Sequence, residues 1–215
     1  MRLSTAAAPM LAAALTSYAA GAPTQGRLQP TAQVQSQETA PAIEDVVVRL
    51  SAASRPGAEH HWLEPLVGSW TMDIVGTSPA QPPLHMTGTC ESRWILGGRF
   101  LLTEVTGGAG VVPIEAMTIY GFDARKRQFF AVALNSLATD YAQSWGGYDP
   151  VGRSFILSGK RRDEATGLVS AYRNLLRIEG PDRHVLQVFF DVPGRPPLKV
   201  IEAVFARRSP SLDAR

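Results

Sequence analysis

The feature that most constrains this chain is its punctuation. From Val67 to Arg207, segments in which apolar residues tend to recur at every second position are divided by turn formers. These are Leu96-Gly97-Gly98, Gly107-Gly108-Ala109-Gly110, Asp149-Pro150-Val151-Gly152, Ala165-Thr166-Gly167, Gly180-Pro181-Asp182 and Pro193-Gly194-Arg195-Pro196. A period of two puts alternate side chains on opposite faces of an extended strand, and Gly, Pro and Asp supply the backbone angles of tight turns. The pattern predicts about ten strands, over residues 67–76, 84–95, 99–106, 112–122, 127–136, 140–148, 153–162, 168–178, 183–191 and 197–207. Consecutive strands joined by short turns pair antiparallel, and closing the sheet removes its exposed edges. The expected fold is therefore all-β, a closed antiparallel up-and-down barrel with a short N-terminal helix.

An even strand count has a geometric consequence. The start of the first strand and the end of the last lie side by side at one end of the barrel, so Trp70 meets Arg207 there. The turns near 96–98, 123–127, 149–152 and 179–182 share that end, and a short helix over Glu59 to Glu64 is placed to plug it. The opposite rim receives residues 76–83, 107–111, 137–139, 163–167 and 192–196, the longer Gly- and Pro-rich loops that a ligand mouth requires.

The segment ahead of the barrel has a different character. Met1-Arg2 is a basic start, and Ala6 to Leu15 is an apolar run too short for a bilayer, which needs ~20 residues. Small residues at Ser17-Tyr18-Ala19 complete the pattern of a secretory signal peptide, residues 1–19, and predict a secreted or periplasmic protein. Residues 20–57 read as a disordered tether rich in Gln, Thr, Ala and Pro, with a short amphipathic helix over Ile43 to Ala52. The barrel domain is expected over 58–208 and a disordered tail over 209–215. The formal charge is only +2 and loses Arg2 with the leader, which excludes an electrostatic nucleic-acid binder. No other apolar run reaches spanning length, so the mature chain is not expected in a membrane. Its single cysteine, Cys90, can form no internal disulfide.

Four blocks carry a family resemblance: Pro56-Gly57-Ala58-Glu59-His60-His61-Trp62-Leu63, Leu66-Val67-Gly68-Ser69-Trp70, Trp94-Ile95-Leu96-Gly97-Gly98-Arg99-Phe100-Leu101, and Tyr120-Gly121-Phe122-Asp123. Over roughly residues 56–208 the chain resembles the bacterial family known as domain of unknown function 1579. Its Gly-x-Trp opening is shared more loosely with the calycin barrels, meaning lipocalins, fatty-acid-binding proteins and nitrobindins. The resemblance implies a calycin-like barrel and brings no substrate or catalytic residue with it. In lipocalin-like barrels a comparable indole is covered by a basic side chain of the closing strand, which implies a structural latch of Gly68, Trp70 and Arg207. Nitrobindin-like proteins hold haem through a late histidine. Here that residue is His184, which the strand count sets near the closed end, so no cofactor is expected.

Candidate chemistry reduces to a pocket. His60, His61 and His85 do not share a face at ligand spacing, and no metal site is expected. The chain has no Gly-x-Ser-x-Gly elbow, and its glycines at 107, 108 and 110 precede no helix, so neither a serine nucleophile nor a phosphate cradle is indicated. Arg125-Lys126-Arg127 and Lys160-Arg161-Arg162 fall at opposite ends of the barrel and read as solvated turns. Strand alternation gathers a more informative set. With Trp70 inward, Met72 is inward too, Met86 and Cys90 alternate on the second strand, and outward Arg173 and Arg177 leave Tyr172 and Asn174 facing in. Tyr141, Gln143 and Trp145 share one face of the sixth strand and are taken as inward by their size. A barrel of about ten strands is wide enough to keep a cavity among such residues. The expected function is a secreted binder of a small apolar or aromatic molecule. Two alternatives stay open: an enzyme acting inside the barrel, and a protein-interaction module with a filled barrel.

Overall fold

The computed structural model describes residues 42–209, apart from residues 80, 111, 163–166 and 193. The expected signal peptide, most of the expected tether and the end of the expected tail fall outside the described residues. The described residues from Glu44 onward form one compact unit.

A helix, α1 (Ile43–Ala53), is followed by a 3-10 helix over Ala58–Leu66. Ten strands succeed them: β1 (Gly68–Ser78), β2 (Gln81–Ile95), β3 (Phe100–Ala109), β4 (Val112–Asp123), β5 (Gln128–Asn135), β6 (Ala142–Asp149), β7 (Ser154–Arg162), β8 (Val169–Gly180), β9 (Arg183–Phe190) and β10 (Leu198–Arg207). Each strand pairs antiparallel with its sequence neighbours, and β10 returns to pair with β1, closing an up-and-down barrel. Among the described residues, no helix is long and apolar enough to cross a membrane.

Register explains where the interior lies. Trp70 sits opposite Cys90 on β2 and opposite Arg207 on β10, and all three share the inner face. An inner row runs from Leu101 through Tyr120, Ala131, Ser144, Gly159 and Tyr172 to Phe190. The closed half of the barrel is filled by large buried side chains. Leu101, Phe129, Phe155, Leu157, Leu176 and Ile178 form one buried cluster, into which the 3-10 helix inserts Leu63 and Leu66. Phe129 meets Phe155 edge to face at 5.0 Å, an arrangement that aligns ring edges with ring faces. Trp70, Met72, Cys90, Ala203 and Phe205 form the second cluster.

The 3-10 helix is fastened by its own unpaired carbonyls. The last turn of any helix leaves C=O groups without partners. Here the Trp70 indole N–H donates to Leu66 O at 3.0 Å, and Arg207 donates to Val67 O at 2.9 Å and Pro65 O at 3.3 Å. The Arg207 guanidinium also lies 4.1 Å from the centre of the Trp70 ring. Gly68 makes the approach feasible: its φ of 127° is in the region glycine favours, and a Cβ there would collide with Arg207 Nη1. Arg208, of opposite parity, reaches Glu91 at 3.5 Å with about half of its side chain exposed.

Candidate functional site

The mouth half of the barrel is built from small inward residues. Ala131 and Ala133 on β5, Ala142 and Ser144 on β6, and Gly159 on β7 leave a gap where the closed half has rings and leucines, and the result is a cavity of about 230 Å³. Phe155, Leu157, Leu176 and Leu186 make its deep surface; Val188, Phe190 and Ile201 line the far wall, and Thr118 and Tyr120 the near one. One side is polar, consisting of Ser144, Tyr172, Asn174 and Arg161.

The polar side depends on a missing side chain. Tyr172 is paired with Gly159, and a Cβ at Gly159 would stand 2.5 Å from the Tyr172 ring. With nothing there, the phenol lies across β7, its hydroxyl close enough to the Ser144 hydroxyl on β6 to be drawn down by it. Asn174 Nδ2 donates to the same Ser144 oxygen at 3.3 Å, so a buried serine ties β6 to β8 across the intervening strand. Burial pushes the Tyr172 hydroxyl up from its ordinary range, against the weaker pull of Ser144 and the Arg161 charge; Tyr120 is pushed up too, chiefly by burial. Both phenols keep their protons at neutral pH and serve as hydrogen-bonding groups. Arg161 stands at the rim, its Nη2 3.4 Å from Asp140 on the β5–β6 loop.

The residues singled out from the sequence separate into three groups. Tyr172 and Asn174 line the cavity. Met72 and Cys90 face inward but are packed around Trp70, and Met86, opposite Ile74, is on the inner face without lining the cavity. Burial raises the Cys90 thiol to about 11, which leaves it a protonated, unreactive packing group beside Ser92. Tyr141, Gln143 and Trp145 correct the sequence reading: Tyr141 and Gln143 are exposed, and Trp145 is on the outer face, 5.1 Å from Phe130 with the Lys126 ammonium 3.8 Å from its ring. The residues of β6 that line the cavity are instead Ala142 and Ser144, beside the Tyr172 ring that reaches across from β8, while Tyr148 on the same face packs on Phe155 toward the closed end. Arg161 was passed over as one of three consecutive basic residues. Its parity with Leu157 and Gly159 was the available signal.

The histidines do not converge. His60 accepts a hydrogen bond from Gly57 N–H at 3.1 Å and lies near Trp94 and Phe122 at the closed end, His61 is exposed beside it, and His85 is on β2 toward the mouth. His184 is buried, stacked on Phe205 at 4.2 Å and edge-on to Trp70 at 4.4 Å. Desolvation, with a smaller contribution from the Arg207 charge, depresses it to about 3. None of the four histidines lines the cavity, and His184 is walled off by two rings, so these residues do not fit an axially ligated haem in the barrel.

The closed ten-strand barrel with its capped end defines a calycin-like protein with an internal cavity. More particularly, the chain belongs to the family described as protein of unknown function (DUF1579), whose model matches residues 55–207. No curated protein matches the sequence. Among solved structures, the chain is similar to Rv2717c from M. tuberculosis, with 20% identity and a TM-score of 0.55 over 72% of this chain and 100% of that one, a likeness of fold. It is also similar, at 12% identity and a TM-score of 0.49 over 74% of this chain and 97% of the other, to the S-type phycobiliprotein lyase CPES from Guillardia theta. A match to EF1p2_mFAP2b bound to DFHBI has 8% identity and a TM-score of 0.37, over 70% and 100% of the two chains. The last two likenesses are too distant to carry any argument about this chain.

Proposed function

We propose that this protein is an exported binder of a small, largely apolar or aromatic molecule, held in the mouth half of the barrel. The observation that carries this reading is the cavity itself. A small-molecule site is a concave, mostly apolar space with a few placed polar groups, and the row of small inward residues beside Tyr172, Asn174 and Arg161 has that composition. At about 230 Å³ it exceeds the ~150 Å³ apolar cavity known to admit benzene, so one or two fused rings fit. The ionisable phenols around it are both pushed upward by burial, which suits hydrogen bonding to a ligand better than proton exchange with one.

The test is titration with 2-naphthol, followed by its fluorescence. About one molecule per chain is expected to bind, as one cavity of this size in each barrel requires. Ala133→Phe, which places a ring in the gap, should abolish binding while the barrel stays folded. Absence of binding by the unmodified chain, or binding indifferent to Ala133→Phe, would remove the reading. The export part rests on Arg2, the Ala6 to Leu15 run and the small residues ending at Ala19. It is checked by the intact mass of protein from the exported fraction of its host, which should lack about twenty residues.

A further inference from the structure

The cavity is mostly apolar, and its polar side of Ser144, Tyr172 and Asn174 ends at the rim in a cation. Arg161 follows Gly159 by two positions on β7, which puts it on the inner face one step nearer the mouth, among the residues lining the cavity. It is close enough to Tyr172 for its charge to act on that hydroxyl. Among the described residues its ion-pair partner is Asp140, met through Nη2 alone at 3.4 Å, with 44% and 36% of the two side chains exposed. A screened, end-on pair of that kind is a weak one. A guanidinium has five N–H donors in a planar fork suited to gripping a carboxylate by two parallel bonds, and an arriving anion can compete with a single long contact.

We propose that the ligand is a small aromatic carboxylate, its ring between Phe155, Leu176 and Phe190 and its carboxylate on Arg161 at the rim. This deepens the reading of the cavity as a ligand site and rests on it. The dimensions agree. A cavity of about 230 Å³ takes the ring system and leaves the charged end where the barrel opens, so the anion keeps part of its hydration while the ring loses its own. Tyr172 adds a hydroxyl beside the same position, lying over the bare backbone of Gly159.

The experiment is calorimetric titration of the full chain with indole-3-acetate and with its neutral counterpart of nearly the same shape, indole-3-acetamide. The acid should bind about tenfold tighter at low salt, as a charge-assisted bidentate contact predicts, and the advantage should shrink as salt is added. Arg161→Gln should bring the acid to the affinity of the amide, a loss for the acid several-fold larger than any for the amide. Arg161→Lys should retain part of the preference, and it carries the test if Arg161→Gln fails to fold. Equal binding of acid and amide by the unmodified chain overturns the proposal. So does an Arg161→Gln variant that weakens both alike, which is the signature of a merely structural role. If 2-naphthol binds while the acid has no advantage, the anion proposal falls and the cavity reading stands. If none of the three compounds binds, the cavity reading falls, and the proposal with it.

Discussion

At the closed end of the barrel the inward positions carry Trp70, Phe205, Phe129 and Phe155, and the 3-10 helix fills what space they leave; toward the mouth the same strands carry Ala131, Ala133, Ala142 and Gly159. One fold thus holds two interiors. The closed end joins a buried indole, an arginine and three carbonyls, two of the helix and that of Val67 just after it, in a single network. The mouth end keeps polar groups in a row beside empty volume. Stability should therefore be concentrated at one end and ligand binding at the other, and substitutions at the two ends should separate in what they change.

The largest effect is expected at Trp70. Removing a fully buried ring of that size costs about 3–5 kcal/mol, and Trp70→Ala also leaves Leu66 O without its donor. Denaturant melts measure it, and a loss below that of any mouth-half substitution would reverse the comparison.

Next comes the pH dependence of the same end. His184 is held neutral in the fold, depressed to about 3, whereas the unfolded residue titrates near ~6.5. Between those values the unfolded chain binds the extra proton, so stability rises with pH through this window and is lost as pH falls. The expected loss between about pH 7 and pH 5 is ~2 kcal/mol, by linkage. His184→Phe, a ring of similar shape beside Phe205, should flatten the profile over that interval when melts are repeated across it.

Arg207→Ala should cost less, about 1–2 kcal/mol, from the lost cation–π contact and the carbonyls it leaves. Trp145→Ala separates packing from binding. On the outer face it should cost about 1 kcal/mol through lost contact with Phe130 and leave 2-naphthol affinity unchanged, because the ring is outside the cavity. Reduced probe binding in that variant would place the sixth strand the other way round. Arg208→Ala, half exposed and paired with Glu91 at 3.5 Å, is expected to stay within ~0.5 kcal/mol in the same melts.

The strands and the closure were legible because they depend on local signals. Turn residues such as Gly97-Gly98 and Pro150-Val151-Gly152 mark the hairpins, and the predicted strand ends fall within three residues of the observed ones, the start of β2 and the end of β3 differing most. Pro82 and Pro83 read as loop, yet β2 begins at Gln81. The meeting of Trp70 and Arg207 was legible because an even strand number dictates it. The orientation of β6 was not. Its two faces carry Tyr141, Gln143 and Trp145 against Ala142, Ser144, Gly146 and Tyr148, and size over its first half favours the wrong one. The deciding fact is held two strands away, where Tyr172 lies across Gly159 and occupies the space a large β6 side chain would need. Arg161 was hidden for a related reason: three consecutive basic residues look uniformly solvated, although alternation turns the middle one toward the cavity.

The most direct test of the division between the two interiors is methyl-resolved NMR of the full chain during titration with 2-naphthol. The methyl groups of Ala131, Ala133 and Ala142 should shift in a saturable way, while those of Leu63 and Leu66 at the plugged end stay where they are. Shifts confined to the closed end, or no saturable shift at any alanine of the mouth half, would contradict a ligand cavity in this barrel.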